Sequence, residues 1–234
     1  MKLRYYDLAA ADPDVRLSPF CWRIRFALAH KELEAEAICW RFTDKEAIAF
    51  SGQGKVPVLQ DGETVVSDSW DIALHLERAY PDRPTLFPDG SGIAHARFVK
   101  NWLETTVQFP ILQLVLPELF DSLHEQDKAY FRESREARFG CRLEDAALPA
   151  EKALPRIRAA LQPLRLTLAD QPFLAGDQPG LADFIAVAPF YWAAAVSSTA
   201  LLEADDPVRA WVHCLHDRYP HAREGCRFKN AQPG

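Results

Sequence analysis

The chain lacks any run of like charge long enough to be an interaction tail or a nuclear signal. Its net charge of −6 offers no basic face for a phosphate backbone, which excludes nucleic acid as the main partner. The first residues, Met1-Lys2-Leu3-Arg4-Tyr5-Tyr6-Asp7, lack the apolar stretch of a secretory signal. The five cysteines are odd in number and irregular in spacing, so they make no disulfide framework. Free thiols in a reducing cytoplasm are the expectation. There is no glycine-rich phosphate loop, serine-hydrolase elbow or carboxylate dyad. His213-Cys214 with His216 and His221 come nearest to a metal site. They lack a second cysteine pair or an H-E-x-x-H pattern, so they read as solvated helix positions and no metal is expected.

One stretch, Phe184 to Leu202, lacks charge altogether. A membrane span needs about 20 mostly apolar residues, so the length nearly qualifies. Asp183 precedes it, Pro189 interrupts it, Ser197-Ser198-Thr199 weaken its end, and no Lys or Arg anchors it closely. A central helix buried on all sides is expected instead, with no membrane partner.

What is present is an ordinary soluble composition, 48% hydrophobic and 26% charged, over 234 residues. That length suits two modest domains. Lys2 to Leu8 reads as a strand, Pro19 to about Lys31 as a helix, and Ala35 to Trp40 as a second strand. Residues 41 to 55 look irregular. Val56 to Val66 reads as a hairpin around Asp61-Gly62, a pair that favours a type I′ turn. A helix then runs to about Tyr80. Residues 81 to 92 carry three prolines and two glycines and mark the best domain boundary. Beyond them the signals are helical. Ala94 to about Leu116 is one long candidate, bent or broken at Pro110; Asp121 to Cys141 and Leu154 to Leu168 follow, and Asp206-Pro207 opens a later helix.

Three short motifs carry the chemistry: Ser18-Pro19-Phe20-Cys21, Val56-Pro57 and Asp68-Ser69. Ser18 falls where a helix should begin, with proline at the first helical position. Such a terminus has spare N–H groups and partial positive charge, and it stabilises anions, a thiolate among them. A plain cap without catalytic role is the alternative. Asp68 and Ser69 read the same two ways. Ser18 to Cys21 has the spacing of a C-x-x-C motif whose first cysteine is replaced. Cys21 therefore reads either as a redox thiol or as a small buried hydrophobe.

These motifs, with Tyr80-Pro81-Asp82-Arg83-Pro84 and the segment Leu174 to Asp183, resemble the cytosolic glutathione S-transferases over nearly the whole chain. Residues 18–31 and 66–87 are most similar to the bacterial β-etherase-like branch and its fungal relatives. The resemblance implies an α/β part followed by an all-α part. A thioredoxin-like domain would span residues 1–80, a linker 81–92 and a helical domain 93–234. It implies glutathione as co-substrate, held by Ser18, Phe20, Lys55, Val56, Pro57, Asp68 and Ser69, with a cis bond at Pro57. Ser18 would donate a hydrogen bond to the glutathione sulfur. Phe20, Trp102, Phe109 and Trp192 would wall a pocket for a hydrophobic electrophile between the domains. Aryl ether cleavage is one activity of that branch, and a cytoplasmic homodimer is its usual form. A Cys21-dependent thiol-disulfide reductase and a non-catalytic carrier are the alternatives. One position departs from the pattern: the core-helix cap is usually Ser or Thr, and here it is Gly180. Glycine caps nearly as well as Thr, so only a slight loss of local stability is expected.

Overall fold

The computed structural model describes residues 3–88, 92–230 and 233. Among them, four strands form one sheet of order β2-β1-β3-β4: β1 (Leu3–Leu8), β2 (Ala35–Trp40), β3 (Val58–Asp61) and β4 (Thr64–Ser67). β1 runs parallel to β2, from Leu3↔Ala35 to Leu8↔Trp40, and antiparallel to β3. A parallel pair needs a crossover, and α1 (Pro19–His30) supplies it.

The hairpin lies where the sequence places it, but its turn is shifted by one residue. Asp61 pairs with Thr64, leaving Gly62-Glu63 as the two turn residues. Only Gly62 has positive φ, at 62°. That is the φ pattern of a type II′ turn, not I′. Asp61 stays in the ladder because its carboxylate is held by the His75 ring at 2.8 Å and the Tyr80 hydroxyl at 2.9 Å. Both partners flank the far end of α2 (Ser69–Ala79).

The remaining helices are α3 (Gly92–Thr106), α4 (Gln108–Ser122), α5 (Glu125–Phe139), α6 (Leu143–Ala146), α7 (Ala150–Ala160), α8 (Gln162–Asp170), α9 (Leu181–Val196) and α10 (Pro207–Arg218). Three expectations need correction. The long helix breaks at Val107, not Pro110. Pro110 sits in the first turn of α4, where a missing N–H costs no helical bond. The stretch from Leu154 to Leu168 is two helices meeting at Leu161, with Pro163 again in a first turn. Residues 45–51, read as irregular, form a short 3₁₀ helix.

Every residue of α9 is buried, which accounts for the absence of charge from Phe184 onward. It ends at Ser197, and among the described residues no helix is long and apolar enough to cross a membrane. An aromatic seam joins α1 to α9 and the chain beyond. Phe26 packs edge-on to Tyr191 at 4.9 Å and parallel to Phe184 at 5.9 Å; Trp22 meets Tyr191 at 5.1 Å.

The start of α9 shows why residue 180 is glycine. The buried Asp183 carboxylate accepts N–H groups from Leu174 (2.7 Å), Ala175 (3.1 Å) and Gly180 (3.0 Å), and the Trp211 indole at 3.2 Å. Burial still leaves its pKa above the ordinary carboxylate value. The Leu86 carbonyl crosses close by, accepting the Leu181 N–H at 2.7 Å. A Cβ at 180 would lie 2.7 Å from the Pro88 ring and 2.9 Å from the Leu86 oxygen. Serine or threonine has no room here, so glycine is what the close linker requires and not a weaker cap. The architecture is thus a thioredoxin-like α/β part followed by an all-helical part.

Candidate functional site

Ser18 is the N-cap of α1, with extended backbone (φ −114°, ψ 117°) and Pro19 at the first helical position. Its Oγ accepts the Cys21 N–H at 3.2 Å. A hydroxyl that accepts still has its own proton to donate. No acidic residue lies in the first turn to offset the positive helix terminus. The local sequence therefore builds one donor hydroxyl at an electropositive end.

Cys21 does not share that setting. It is fully buried, and burial pushes its thiol well above the ordinary value, outweighing the Ser18 and Leu8 hydrogen bonds. A reactive thiol needs exposure and stabilised charge. Cys21 has neither, so the redox reading of this residue is corrected to that of a core residue.

Asp68 caps α2, its carboxylate accepting the Trp70 N–H at 2.8 Å. Its backbone stands at φ 75°, ψ 136°, a conformation that a non-glycine residue rarely adopts. Strain of this kind costs about 1–3 kcal/mol and collects at ligand-holding positions. Asp68 is exposed while Ser69, the first helical residue, is 3% exposed. Val56 precedes β3 and lies outside its strand pairs, and the Val56-Pro57 bond is cis. Lys55 is exposed on the loop before it, its carbonyl accepting from the Gln53 side chain at 2.7 Å.

Sequence reading missed what ties α1 to the helical part. Arg23, almost completely buried, donates to Glu104 at 2.7 Å and Gln108 at 3.2 Å, and its guanidinium lies 4.7 Å from the centre of the Phe20 ring. Burial pulls the Arg23 pKa down, against the opposing pull of Glu104 and of Asp68, which lies within electrostatic reach. Burial alone would raise Glu104, but Arg23 and Lys100 hold it below the ordinary carboxylate range. Phe20, Arg23 and Glu104 thus bridge α1 and α3 beside the Ser18 cap. The available signal was a charged residue inside an apolar helical run, which demands a partner when buried.

The four aromatics proposed as pocket walls are not gathered into one cluster. Among the described residues no ring contact joins any two of them. Phe20 pairs with Arg23, and the half-exposed Phe109 meets Phe139 at 6.1 Å. Trp102 is partly buried on α3, two residues before Glu104. Trp192 is 3% exposed inside α9, with its indole N–H unpartnered. A cavity of about 1280 Å³ does lie between the two parts, but at the far end of α1, lined by residues such as His30, Thr85, Gln178 and Tyr219. Among the described residues no group of three or more His, Cys, Asp or Glu side chains could hold a metal ion.

Known proteins match this arrangement in both parts. A family model described as "Glutathione S-transferase, N-terminal domain" matches residues 17–79, and one described as "Glutathione S-transferase, C-terminal domain" matches residues 94–213. The glutathione S-transferase-like protein ustS of Aspergillus flavus is 31% identical over 136 residues, covering 53% of this chain and 49% of that protein, so the match spans about half of it. Glutathione S-transferase 4 of Zea mays is 29% identical over 222 residues, 91% of this chain and 89% of that protein. Among solved structures, a glutathione S-transferase of Ceriporiopsis subvermispora in complex with glutathione superposes with a TM-score of 0.82 at 24% identity, over 93% of this chain and 98% of that one. Both halves of the fold, in this order, carry the family's match: the chain belongs to the glutathione S-transferase family.

Proposed function

We propose that this chain is a glutathione-dependent transferase that holds the glutathione thiol as a thiolate at the start of α1. The observation that carries this reading is the Ser18 hydroxyl, which accepts the Cys21 N–H and keeps its proton to donate to an anion. That hydrogen bond and the helix terminus both favour the ionised sulfur. The thiol proton goes to solvent, the thiolate attacks an electrophilic carbon, and the leaving group departs with the bonding pair. Asp68 and Ser69 would take the γ-glutamyl end, with the α-amino group on the Asp68 carboxylate and the carboxylate on the free N–H groups of α2. Val56 would pair its backbone with the cysteinyl unit as an added strand. Lys55 would approach the glycine carboxylate. Phe20, Trp102 and Phe109 would meet the hydrophobic electrophile. Similarity to the β-etherase-like branch makes aryl ethers of lignin type the substrates to screen first, with the homodimer as the working assembly.

Glutathione calorimetry on the wild type and on a chain carrying Asp68→Ala with Ser69→Ala tests the site. Binding is expected in the wild type and a loss of at least tenfold in the double variant. No binding to the wild type overturns the reading and points to a fold kept without its thiol site. Binding without turnover across a broad electrophile panel would instead identify a carrier. The reductase alternative loses its support because the Cys21 thiol is sealed in the core.

A further inference from the structure

Two cations on α3 are provided for differently by their own helix. Lys100 has Glu104 one turn on and pairs with it at 3.0 Å. Arg97 has Ile93 one turn before it and Asn101 one turn after, so its helix offers no acid at those positions. Among the described residues no hydrogen bond or ion pair engages its guanidinium. That group lies instead over the Trp70 indole, 3.9 Å from the ring centre. Trp70 is 4% exposed and is braced edge-on by Phe87 at 6.2 Å. A cation over a packed indole is held in place without being neutralised. Arg97 itself is exposed, so its N–H groups remain free to meet a ligand.

Trp70 is the second residue of α2, directly after Ser69. A guanidinium stacked on its ring lies within about one Debye length, ~10 Å, of the start of that helix. That start is a poor anion site by itself. The cap Asp68 and the first-turn Asp71 both carry negative charge, and Asp68 already accepts the Trp70 N–H at 2.8 Å. The start of α1, by contrast, has no acid in its first turn. Two carboxylates oppose the attraction of a helix terminus for an anion, so a bound carboxylate here needs a cation from another element. We propose that Arg97 is that cation: it binds the α-carboxylate of the γ-glutamyl unit while Asp68 takes the α-amino group. The inference rests on the glutathione reading above and adds to it a selection for ligands that end in a zwitterionic amino acid. The guanidinium fork matches a carboxylate with two parallel N–H bonds. The indole orients the fork beforehand, so less side-chain freedom is lost on binding. Trp70 belongs to the thioredoxin-like part and Arg97 to the helical part, so the ligand's amino-acid end is held from both.

The test is calorimetry on the full chain with two ligands, glutathione and 4-aminobutanoyl-cysteinylglycine, which lacks only the α-carboxylate. The wild type is expected to bind glutathione at least about tenfold more tightly than the analogue. Arg97→Ala should weaken glutathione by about tenfold and leave the analogue unchanged, closing the gap. Arg97→Lys should restore part of the difference, because the charge returns without the fork. An equal loss for both ligands in Arg97→Ala would reduce Arg97 to a support for Trp70 and overturn the proposal. Glutathione affinity untouched by Arg97→Ala would overturn it as well, while leaving the proposed thiol site standing. A wild type that binds neither ligand would overturn that site and this inference together.

Discussion

At the residue scale, Ser18 and Cys21 show how two positions on one helix turn divide between chemistry and packing. Ser18 Oγ stands at the helix mouth as an acceptor with a spare proton, while Cys21, which donates the N–H it accepts, is sealed beneath it. A hydrogen bond to a charged group contributes about 1.5–3 kcal/mol. Ser18→Ala should therefore raise the pKa of bound glutathione by about 1–2 units and slow thiolate-limited turnover roughly 10- to 150-fold near neutral pH. The ultraviolet absorbance of the bound thiolate against pH reads the first effect directly. An unshifted midpoint would remove Ser18 from thiol activation. Cys21 is expected to stay unlabelled by an aromatic disulfide reagent in the native protein and to react only on unfolding. Rapid native labelling of Cys21, found by peptide mapping, would reopen the reductase reading. The capping role of Ser18 was legible because an N-cap is a property of four consecutive residues. The fate of Cys21 was not, because burial depends on the sheet and α9, which lie far away in sequence.

At the scale of elements, the same division recurs. The caps at Ser18, Asp68 and Asp206 and the succession of strands and helices along the first 80 residues were readable from local patterns. The breaks at Val107 and Leu161 were not, because Pro110 and Pro163 fall in first turns where proline reports a helix start rather than an interruption. Gly180 is the sharpest case. Intrinsic capping preference ranks Ser above Gly, yet the Leu86 carbonyl and Pro88 ring occupy the space a side chain needs. Gly180→Ser is therefore expected to lower stability by about 1–3 kcal/mol through overpacking, read as a lower denaturant midpoint at unchanged slope. A gain would mean the linker can retreat and the cap preference wins. Asp183→Ala removes the acceptor from three backbone N–H groups and the Trp211 indole at once. With each orphaned buried donor costing about 1–3 kcal/mol, it should destabilise more than Gly180→Ser by the same measurement.

At the scale of the molecule, the two parts are joined by too much to move independently. The aromatic seam of α1 and α9 is reinforced by Arg23 with Glu104, by the Asp127 carboxylate accepting from Thr43, and by Arg25 donating to the Ala222 and Glu224 carbonyls. None of these pairs is closer than 80 residues in sequence, which is why no local pattern announced them. The end of α1 adds a junction whose strength depends on protonation. His30 lies between the Thr85 carbonyl at 2.9 Å and the Tyr219 hydroxyl at 2.8 Å. A carbonyl can only accept, so Nε2 carries the proton and Nδ1 accepts from Tyr219. Protonating Nδ1 would turn that second bond round, with the Tyr219 hydroxyl accepting, and would place a charge in a buried junction, so burial lowers the His30 pKa. Nearby, Glu77 accepts from the buried Lys31 ammonium at 2.8 Å, from Leu86 N–H at 3.0 Å and from the Thr85 hydroxyl. Burial would raise Glu77, but these donors hold it below the ordinary carboxylate value. Both groups bind protons more readily in the unfolded chain, so both lose stability on acidification. The His30 contribution is complete above its ordinary pKa of about 6.5 and declines below it, whereas the Glu77 contribution declines only below about 4.3. His216, also lowered by burial, adds to the first window. Denaturant midpoints measured from neutral pH to pH ~4 should therefore fall below about 6.5, and His30→Gln should flatten that part of the curve while leaving the steeper loss below about 4.3 intact. An unchanged slope between those limits in His30→Gln would mean that the junction of α1, linker and α10 is held by packing alone and does not sense protonation.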